Sequence, residues 1–376
     1  MRIAVNTRLL LPGRMDGMGW FCYETMKRIT KSHPEHEFIF IFDRQYSPEF
    51  IFADNIRPEI VRPVTRHPVL WYLWLEWFLP RKLKKWKADL FVSPDGFLSL
   101  RSDIPSIPVI HDINFLHRPA DLPLFNRLYY NYFFPRFARK ASRIGTVSEY
   151  SAADISESYG ISKDRIAILY NGVNEMYGPL SKSEISIKRN AISGGNPYFV
   201  FVGTLHPRKN VVNMLRGFEL FRKRSEIHLK MIIVGEKMFM TGDIDRCLEE
   251  MIYRDDVIFA GRLDPADLHQ TIGSAMAMCF VPYFEGFGIP MIESMKCGIP
   301  VISSNVTSLP EIGRDAVLYC DPGNPEKIAE AMLMMATGEE LRKDLAEKGL
   351  ERVKDFSWDK TSERFWNLIE SVLDGA

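Results

Sequence analysis

Short runs of β-branched and apolar residues alternate with longer helix-like segments along this chain, and a chain patterned this way has few ways to bury its apolar residues. In a first set the candidate strands are Arg2–Asn6, Glu37–Phe42, Asp89–Ser93, Ile107–Ile110, Arg143–Val147 and Ile166–Tyr170. In a second set they are Tyr198–Gly203, Leu229–Gly235, Asp256–Ala260, Met276–Val281, Ile299–Ser303 and Ala316–Tyr319. Several, such as FVFVG and KMIIVG, are apolar without alternation, the pattern of strands covered on both faces of a parallel sheet. Between them run helical stripes such as Val211, Leu215, Phe218 and Phe221, with Asn210 at the N-cap position. The alternation occurs twice, which predicts an α/β chain of two doubly wound domains. The length of 376 residues agrees, being more than one core ordinarily serves.

The segment 181–196, SKSEISIKRNAISGGN, is polar and rich in Gly and Ser. It reads as the connection between a first domain at 1–180 and a second at 197–357. Beyond it, Ser357 is placed to cap a helix over 358–376 that carries Trp358, Phe365, Trp366, Ile369 and Leu373 at helical spacing. The 48 basic and 48 acidic side chains cancel, which argues against bulk electrostatic binding of nucleic acid. The five cysteines contain no CxxC pair, so neither a zinc site nor a disulfide framework is expected, and a reducing cytoplasm is the expected setting. Arg8 interrupts any leader-like apolar core at the start, and the apolar stretch 68–80 contains Glu76 and is too short to span a bilayer.

In doubly wound sheets, ligands sit beyond the carboxyl ends of the strands, where loops lead into helices. The loop after Met276–Val281 opens the sequence PYFEGFGIPMIESMKCGIP, residues 282–300. Pro290 stands near the first position of the following helix, Gly298 at its C-terminal stop and Pro300 just beyond. Gly286 and Gly288, on either side of Phe287, allow backbone N–H groups to face a ligand at the positive end of that helix. Glu285 precedes the helix and Glu293 lies about one turn inside it. Glu293 can accept both hydroxyls of a ribose, while Glu285 can touch a sugar or a developing positive charge. The plain alternative is an ordinary strand-to-helix turn; the helix punctuation and the two spaced acids favour a ligand.

A second loop, Gly203-Thr-Leu-His-Pro-Arg-Lys-Asn210, follows another strand and ends where a helix begins. Arg208 and Lys209 there bring a bidentate fork and a point charge to a helix N-terminus, an arrangement that suits a diphosphate. A solvated basic turn is its plain reading. In the first loop of the chain, Gly17 and Gly19 permit close backbone approach to a phosphate or substrate. That loop lacks the third glycine of the dinucleotide fingerprint, and no GxxxxGK[ST] occurs, so NAD and P-loop readings lose weight. His111 and Asp112 directly follow the strand Ile107–Ile110, where His111 can hydrogen-bond a sugar hydroxyl or support transition-state charge. A loop-capping histidine is the plain reading, and His117 lies close by. Finally, WYLWLEWFLPRKLKKWK (71–87) mixes aromatics with a basic run, as would an interfacial helix on an anionic membrane or a structural helix with a solvated end.

Taken together, these residues make the chain resemble the family 4 (group 1) glycosyltransferases of the GT-B fold over nearly its whole length. The resemblance rests on the E-x7-E motif, Glu285 to Glu293, and on GTLHPRKN at 203–210. Lesser supports are GMG at 17–19, HD at 111–112, TVSEYSAADI at 146–155 and YNGV at 170–173. It implies two Rossmann-like domains facing across a cleft, with the helix from 358 crossing back to the N-terminal domain. It further implies a retaining transfer from a nucleotide-sugar donor without a metal or other cofactor in the active site. Glu293 would take the ribose diol; Glu285 and the Gly286–Phe287–Gly288 backbone would meet the donor sugar and phosphates. Arg208 and Lys209 would neutralise the leaving diphosphate. His111 would contact the donor hexose, and Gly17 and Gly19 would approach the diphosphate or acceptor. One departure is Thr204, where many members carry Arg, so that Arg208 must take over as phosphate cation.

The GTLHPRKN variant looks most like mannosyl- or rhamnosyltransferases of surface-polysaccharide assembly. The resemblance thus favours GDP-mannose as donor, with a UDP-sugar second, and a glycan or polyprenyl-linked glycan as acceptor; if the aromatic and basic stretch 71–87 is the interfacial helix, it gives peripheral contact to the cytoplasmic face of the inner membrane. Three rivals share the architecture or the donor site: a sugar-nucleotide epimerase or hydrolase, a soluble sucrose- or glycogen-type synthase, and a nucleotide-sugar binding protein without turnover.

Overall fold

The computed structural model describes residues 1–236 and 242–375. The chain divides into two compact units, one of Met1–Gly172 with Ser357–Ala376, the other of Val173–Phe356.

In the first unit, β1 (Arg2–Asn6), β2 (Glu37–Phe42), β3 (Ile56–Ile60), β4 (Leu90–Ser93) and β5 (Ser106–Pro108) form a parallel sheet in the order β3-β2-β1-β4-β5. A further parallel pair, β6 (Ile144–Thr146) and β7 (Ile166–Ile168), joins it by one bridge from Val109 to Gly145. Ile3, Ala4 and Val5 are wholly buried, as the continuous apolar runs require. The sequence pattern does not announce β3, whose IRPEI carries Pro58 opposite Phe40. Proline has no N–H to give, and β3 lies at the sheet edge, where none is needed. The Trp358–Leu373 helix packs on the Gly17–Ser32 helix, with the Phe21 ring meeting Trp358 at 6.2 Å and Phe365 at 5.7 Å. Ser357 caps it, accepting from the Asp359 amide at 3.2 Å. A groove lined by Lys27, Arg28, His33, Asp359 and Trp366 runs between these two helices, and its Arg28 pairs with both Glu24 and Asp359.

The 71–87 stretch is not one interfacial helix. It runs as the Pro68–Leu73 helix, a π-turn at Trp74–Phe78 and the Leu79–Trp86 helix. Trp74, Leu75, Leu79, Leu83 and Trp86 point into the core, and the buried Glu76 carboxylate accepts the Leu100 and Arg101 amides at 2.9 and 3.0 Å. Among the described residues no helix is long and apolar enough to cross a membrane.

In the second unit, six parallel strands follow the order β10-β9-β8-β11-β12-β13. They are β8 (Tyr198–Val202), β9 (Lys230–Val234), β10 (Val257–Gly261), β11 (Ala277–Phe280), β12 (Val301–Ser304) and β13 (Val317–Cys320). The expected linker 181–196 is instead mostly an α-helix, Lys182–Ser193, and the units divide at Gly172/Val173. A capping box between Ser181 and Glu184 starts this helix and Gly194, at φ +62°, ends it. Arg189 Nε donates to Ser274 O at 2.8 Å and Lys188 pairs with Asp267 at 3.0 Å, which ties the helix to the second unit.

Where β8 and β9 end, two glycines cross. A Cβ on Gly235, at φ +144°, would lie 2.0 Å from the Gly203 carbonyl oxygen. Because both partners are backbone, neither yields cheaply. Gly235→Ala is expected to cost about 2–3 kcal/mol in a denaturant titration; an unchanged midpoint would show that the crossing relaxes.

Candidate active site

The second sheet reverses its winding between β8 and β11, and in such sheets the crevice for a ligand opens at that point. The two loops singled out in the sequence leave from these two strands. After Gly203 the exposed Thr204 leads to a tight turn at Pro207–Lys209, where His206 Nδ1 accepts the Arg208 amide at 3.3 Å. Asn210 does not cap the following Val211–Arg224 helix with its side chain, as its position predicts. It sits at φ +59° and its Nδ2 donates to Val281 O at 2.9 Å and Pro322 O at 2.8 Å. With the Tyr283 amide donating to Arg208 O at 2.8 Å, the two loops are stitched together through backbone.

This stitching brings both cations onto one carboxylate oxygen. Arg208 Nη1 donates to Glu285 Oε1 at 2.9 Å and to Phe284 O at 3.0 Å, and Lys209 Nζ donates to the same Oε1. Lys209 and Glu285 are 9% and 7% exposed, and the ammonium also lies 5.2 Å over the Phe280 ring. Two cations thus meet on one carboxylate oxygen in a poorly hydrated place. Such a cluster offers an arriving anion donors that water has mostly left.

The Glu285 loop is fixed from its other side by residues the sequence reading did not select. Thr307 Oγ1 accepts the Glu285 amide at 3.2 Å, and Ser308 Oγ donates to Glu285 O at 2.9 Å. Gly288 starts the Ile289–Lys296 helix at φ +106°, and a Cβ there would lie 2.8 Å from Leu309 Cδ2, so both backbone and packing call for glycine. Gly286 is buried, and Phe287 packs edge-on against Phe356 at 5.5 Å, so Phe287 serves the core of the loop.

Glu293 lies in that helix, half-buried. Burial pushes its carboxyl up to about 7, and the Tyr177 hydroxyl, hydrogen-bonded to it, pulls the other way. Tyr177 is itself held in place, its ring 5.6 Å from His269, whose Nε2 lies 2.8 Å from Gly178 O. No sequence pattern marks Tyr177; only the fold brings it to Glu293.

The first sheet reverses between β1 and β4, and here the structure adds a polar cluster that the sequence reading missed. Asp95 accepts from Asn6 Nδ2 at 2.9 Å, Ser93 Oγ at 2.9 Å and Arg8 Nε at 2.7 Å, while the Arg8 guanidinium lies 4.2 Å over Phe97. His111 reaches back to this point and bonds Pro94 O through Nε2 at 2.8 Å. A carbonyl only accepts, so Nε2 carries the proton in this contact and leaves Nδ1 as the acceptor nitrogen. Burial holds His111 below the ordinary imidazole value, against the pull of Pro94 O and the carboxylates of Asp112, Asp16 and Asp95. With Nε2 engaged on Pro94 O, Nδ1 is the ring atom that can accept from a sugar hydroxyl. His117 instead pairs with Asp154 at 2.7 Å.

The glycine loop at 17–19 is less open than expected. Asp16 caps the Gly17–Ser32 helix by accepting the Gly19 amide at 2.9 Å, and a Cβ on Gly19 would lie 3.0 Å from Leu9 O. Gly19 thus serves the turn itself, and exposure to an incoming group is left to Gly17.

Comparison with known proteins gives this arrangement its context. The model of Glycosyl transferases group 1 matches residues 182–352, and that of Glycosyltransferase Family 4 matches residues 15–176. The chain is 26% identical over 289 residues to the O-antigen chain mannosyltransferase B of Escherichia coli, covering 77% of this chain and 76% of that one. It is 23% identical over 286 residues to the O-antigen chain mannosyltransferase RfbU of Salmonella typhimurium, covering 75% of each. Among solved structures, Anabaena HepE in complex with UDP and glucose superposes with a TM-score of 0.75 at 17% identity, covering 99% of this chain and 100% of that one. WaaG, a glycosyltransferase involved in lipopolysaccharide biosynthesis, superposes with a TM-score of 0.76 at 17% identity, covering 96% of this chain and 98% of that one. Two parallel sheets each wound about a reversal point, a paired-cation loop beside an E-x7-E helix, and family models over both halves place the chain among the group 1, family 4-type glycosyltransferases of the GT-B fold.

Proposed function

We propose that the protein transfers a mannosyl group, with retention of anomeric configuration and without a metal, from a nucleoside-diphosphate sugar to a glycan or polyprenyl-linked glycan. GDP-mannose is the favoured donor and a UDP-sugar the second, and the reaction serves surface-polysaccharide assembly on the cytoplasmic side. The observation that carries the reading is the convergence of Arg208 and Lys209 on Glu285 Oε1 at the β8/β11 reversal, with Glu293 in the helix that follows. Both O-antigen relatives are named as mannosyltransferases, which supports the sugar.

In this reading the diphosphate takes over the N–H donors that Glu285 holds in the resting protein. Breaking the sugar–phosphate bond leaves negative charge on the diphosphate, where Arg208 and Lys209 stabilise it, and positive charge on the anomeric carbon. Glu285, released from its cations, is the carboxylate nearest that chemistry. Glu293 accepts the two ribose hydroxyls. His111 is assigned by the family resemblance to a hydroxyl of the transferred sugar, where Nδ1 would accept. The acceptor hydroxyl attacks from the face that the diphosphate leaves, and the departing phosphate oxygen takes its proton.

Calorimetric titration with UDP, GDP, ADP and dTDP tests the donor. One of these is expected to bind, and Glu293→Ala to weaken it by more than about tenfold, or about 1.4 kcal/mol. Unchanged affinity in Glu293→Ala removes the ribose assignment. Product analysis separates the epimerase or hydrolase reading, which turns donor over without an acceptor, from transfer, which does not.

A further inference from the structure

Thr307 stands in a backbone conformation that its own side chain resists. At φ +57° it lies in the left-handed region, and of the non-glycine residues described there, Lys87, Asn210, Thr307 and Arg314, it is the β-branched one. Two heavy atoms on Cβ make this region costly for threonine, whereas glycine enters it freely. The loops after β9 and β11 of the same sheet meet a positive φ with Gly235 and Gly288. A strained residue kept where an unstrained one would serve points to a use for its side chain.

That side chain is fixed in both of its hydrogen-bonding roles. Thr307 Oγ1 donates to Val306 O at 2.8 Å, which commits its proton, and accepts the Glu285 amide at 3.2 Å. Strand β12 lies beside β11, with Ser303 opposite Phe280, so the loops that follow them leave side by side. Ser304 Oγ donates to Pro282 O at 2.7 Å, and Ser308 Oγ to Glu285 O at 2.9 Å and Phe287 O at 3.3 Å. The two serines, both wholly buried, hold carbonyls, while Thr307 takes the Glu285 N–H. Glu285 is thereby gripped by its amide and its carbonyl at once, and its carboxylate meets Arg208 and Lys209 from a fixed backbone.

We propose that Thr307 is a positioning residue for the transfer reaction: its hydroxyl, aimed by the left-handed backbone, pins the Glu285 amide and so holds the Glu285 carboxylate on its two cations until a diphosphate replaces it. The kinetic consequence rests on the donor reading above, whereas the pinning is a property of the resting protein. Glycine at 307 would relax the backbone and free the amide. The loop would then sample arrangements in which Glu285 leaves its cations, and a misplacement of about 1 Å at a reacting centre costs up to about a hundredfold in rate.

Hydrogen exchange at the Glu285 amide, urea unfolding and turnover of the Thr307→Gly, Thr307→Ser and Thr307→Val proteins test this. Thr307→Gly loses strain and hydroxyl together. Its urea midpoint is expected to be no lower than that of the wild type, while exchange at Glu285 rises and turnover falls by about tenfold or more each. Its nucleoside-diphosphate affinity should not weaken, since a released Glu285 competes less for the cations. Thr307→Ser keeps the hydroxyl and should hold exchange and turnover within about threefold of the wild type. Thr307→Val keeps the branched shape without the hydroxyl and should match Thr307→Gly in both; should it not fold, the glycine and serine proteins decide alone. Wild-type exchange or wild-type turnover in Thr307→Gly would overturn the proposal, as would a serine protein as impaired as the glycine one. So would a joint fall of urea midpoint, diphosphate affinity and turnover, the pattern of a purely structural residue. If no nucleoside diphosphate binds the wild type while Glu285 exchange still follows the hydroxyl, the donor reading falls and the pinning stands. If exchange ignores the hydroxyl while diphosphate binding is intact, the pinning falls and the donor reading stands.

Discussion

In the Lys209→Ala protein, sugar transfer is expected to slow by about two to three orders of magnitude, the usual loss when one preorganised donor is removed from a developing anion. The physical reason lies in where the ammonium sits. Lys209 is 9% exposed and shares Glu285 Oε1 with Arg208, so water cannot replace it without opening the stitched loops. Its charge is worth most when the sugar–phosphate bond breaks and the diphosphate gains charge, hence the effect falls on kcat. Glu285→Gln is the informative companion. With the carboxylate's charge gone, both cations are held less tightly, and the product nucleoside diphosphate should bind more tightly while turnover falls. A merely structural role for Glu285 would weaken both together. Initial rates of diphosphate release and calorimetry on the same preparations decide. Turnover close to wild type in Lys209→Ala would remove the cation pair from the chemistry.

The second large effect is on pH. Glu293 titrates at about 7 because burial disfavours its charge. A carboxylate accepts from both hydroxyls of a diol, whereas the protonated acid gives up an acceptor and adds a donor. Nucleotide affinity should therefore be full on the alkaline side of that value. It should be half lost at that value and fall by about tenfold for each further unit of acid, about a hundredfold over two units. Glu293→Gln should flatten the curve, leaving only the titration of the phosphates. The Tyr177 hydroxyl favours the ionised form, so Tyr177→Phe should move the midpoint to higher pH and leave the alkaline plateau in place. A uniform loss at every pH would mean that Tyr177 only supports the fold.

That the residues of this candidate cluster lie in neighbouring loops was largely legible in the sequence, and the reasons are local. Gly203, Arg208, Lys209, Glu285, Gly288 and Glu293 all lie in strand-to-helix loops whose punctuation by Gly and Pro is written in consecutive residues. The strands were legible for the same reason, with β3 the exception because Pro58 hides an edge strand. The helix at 182–193 carried its Ser181/Glu184 capping box in plain view, yet its polar outer face and trailing glycines outweighed that signal. What no local pattern holds is which strand lies beside which. Arg8 and Asp95 meet only because β1 pairs with β4, and Tyr177 reaches Glu293 from a loop far away in the chain. Asn210 shows a subtler limit: its position was right, but the amide was drawn from the helix end to the carbonyls of two other loops.

One unit of the protein is assembled from two separated stretches of chain, Met1–Gly172 and Ser357–Ala376. During synthesis the second unit can close as an uninterrupted insert while the first still lacks the helix that covers Phe21. Until residues from 357 onward emerge from the ribosome, that apolar surface of the nascent chain stays uncovered, a period in which a chaperone has something to hold. A message broken just before the codons of this helix would thus yield a protein whose second unit is complete and whose first unit is prone to aggregate.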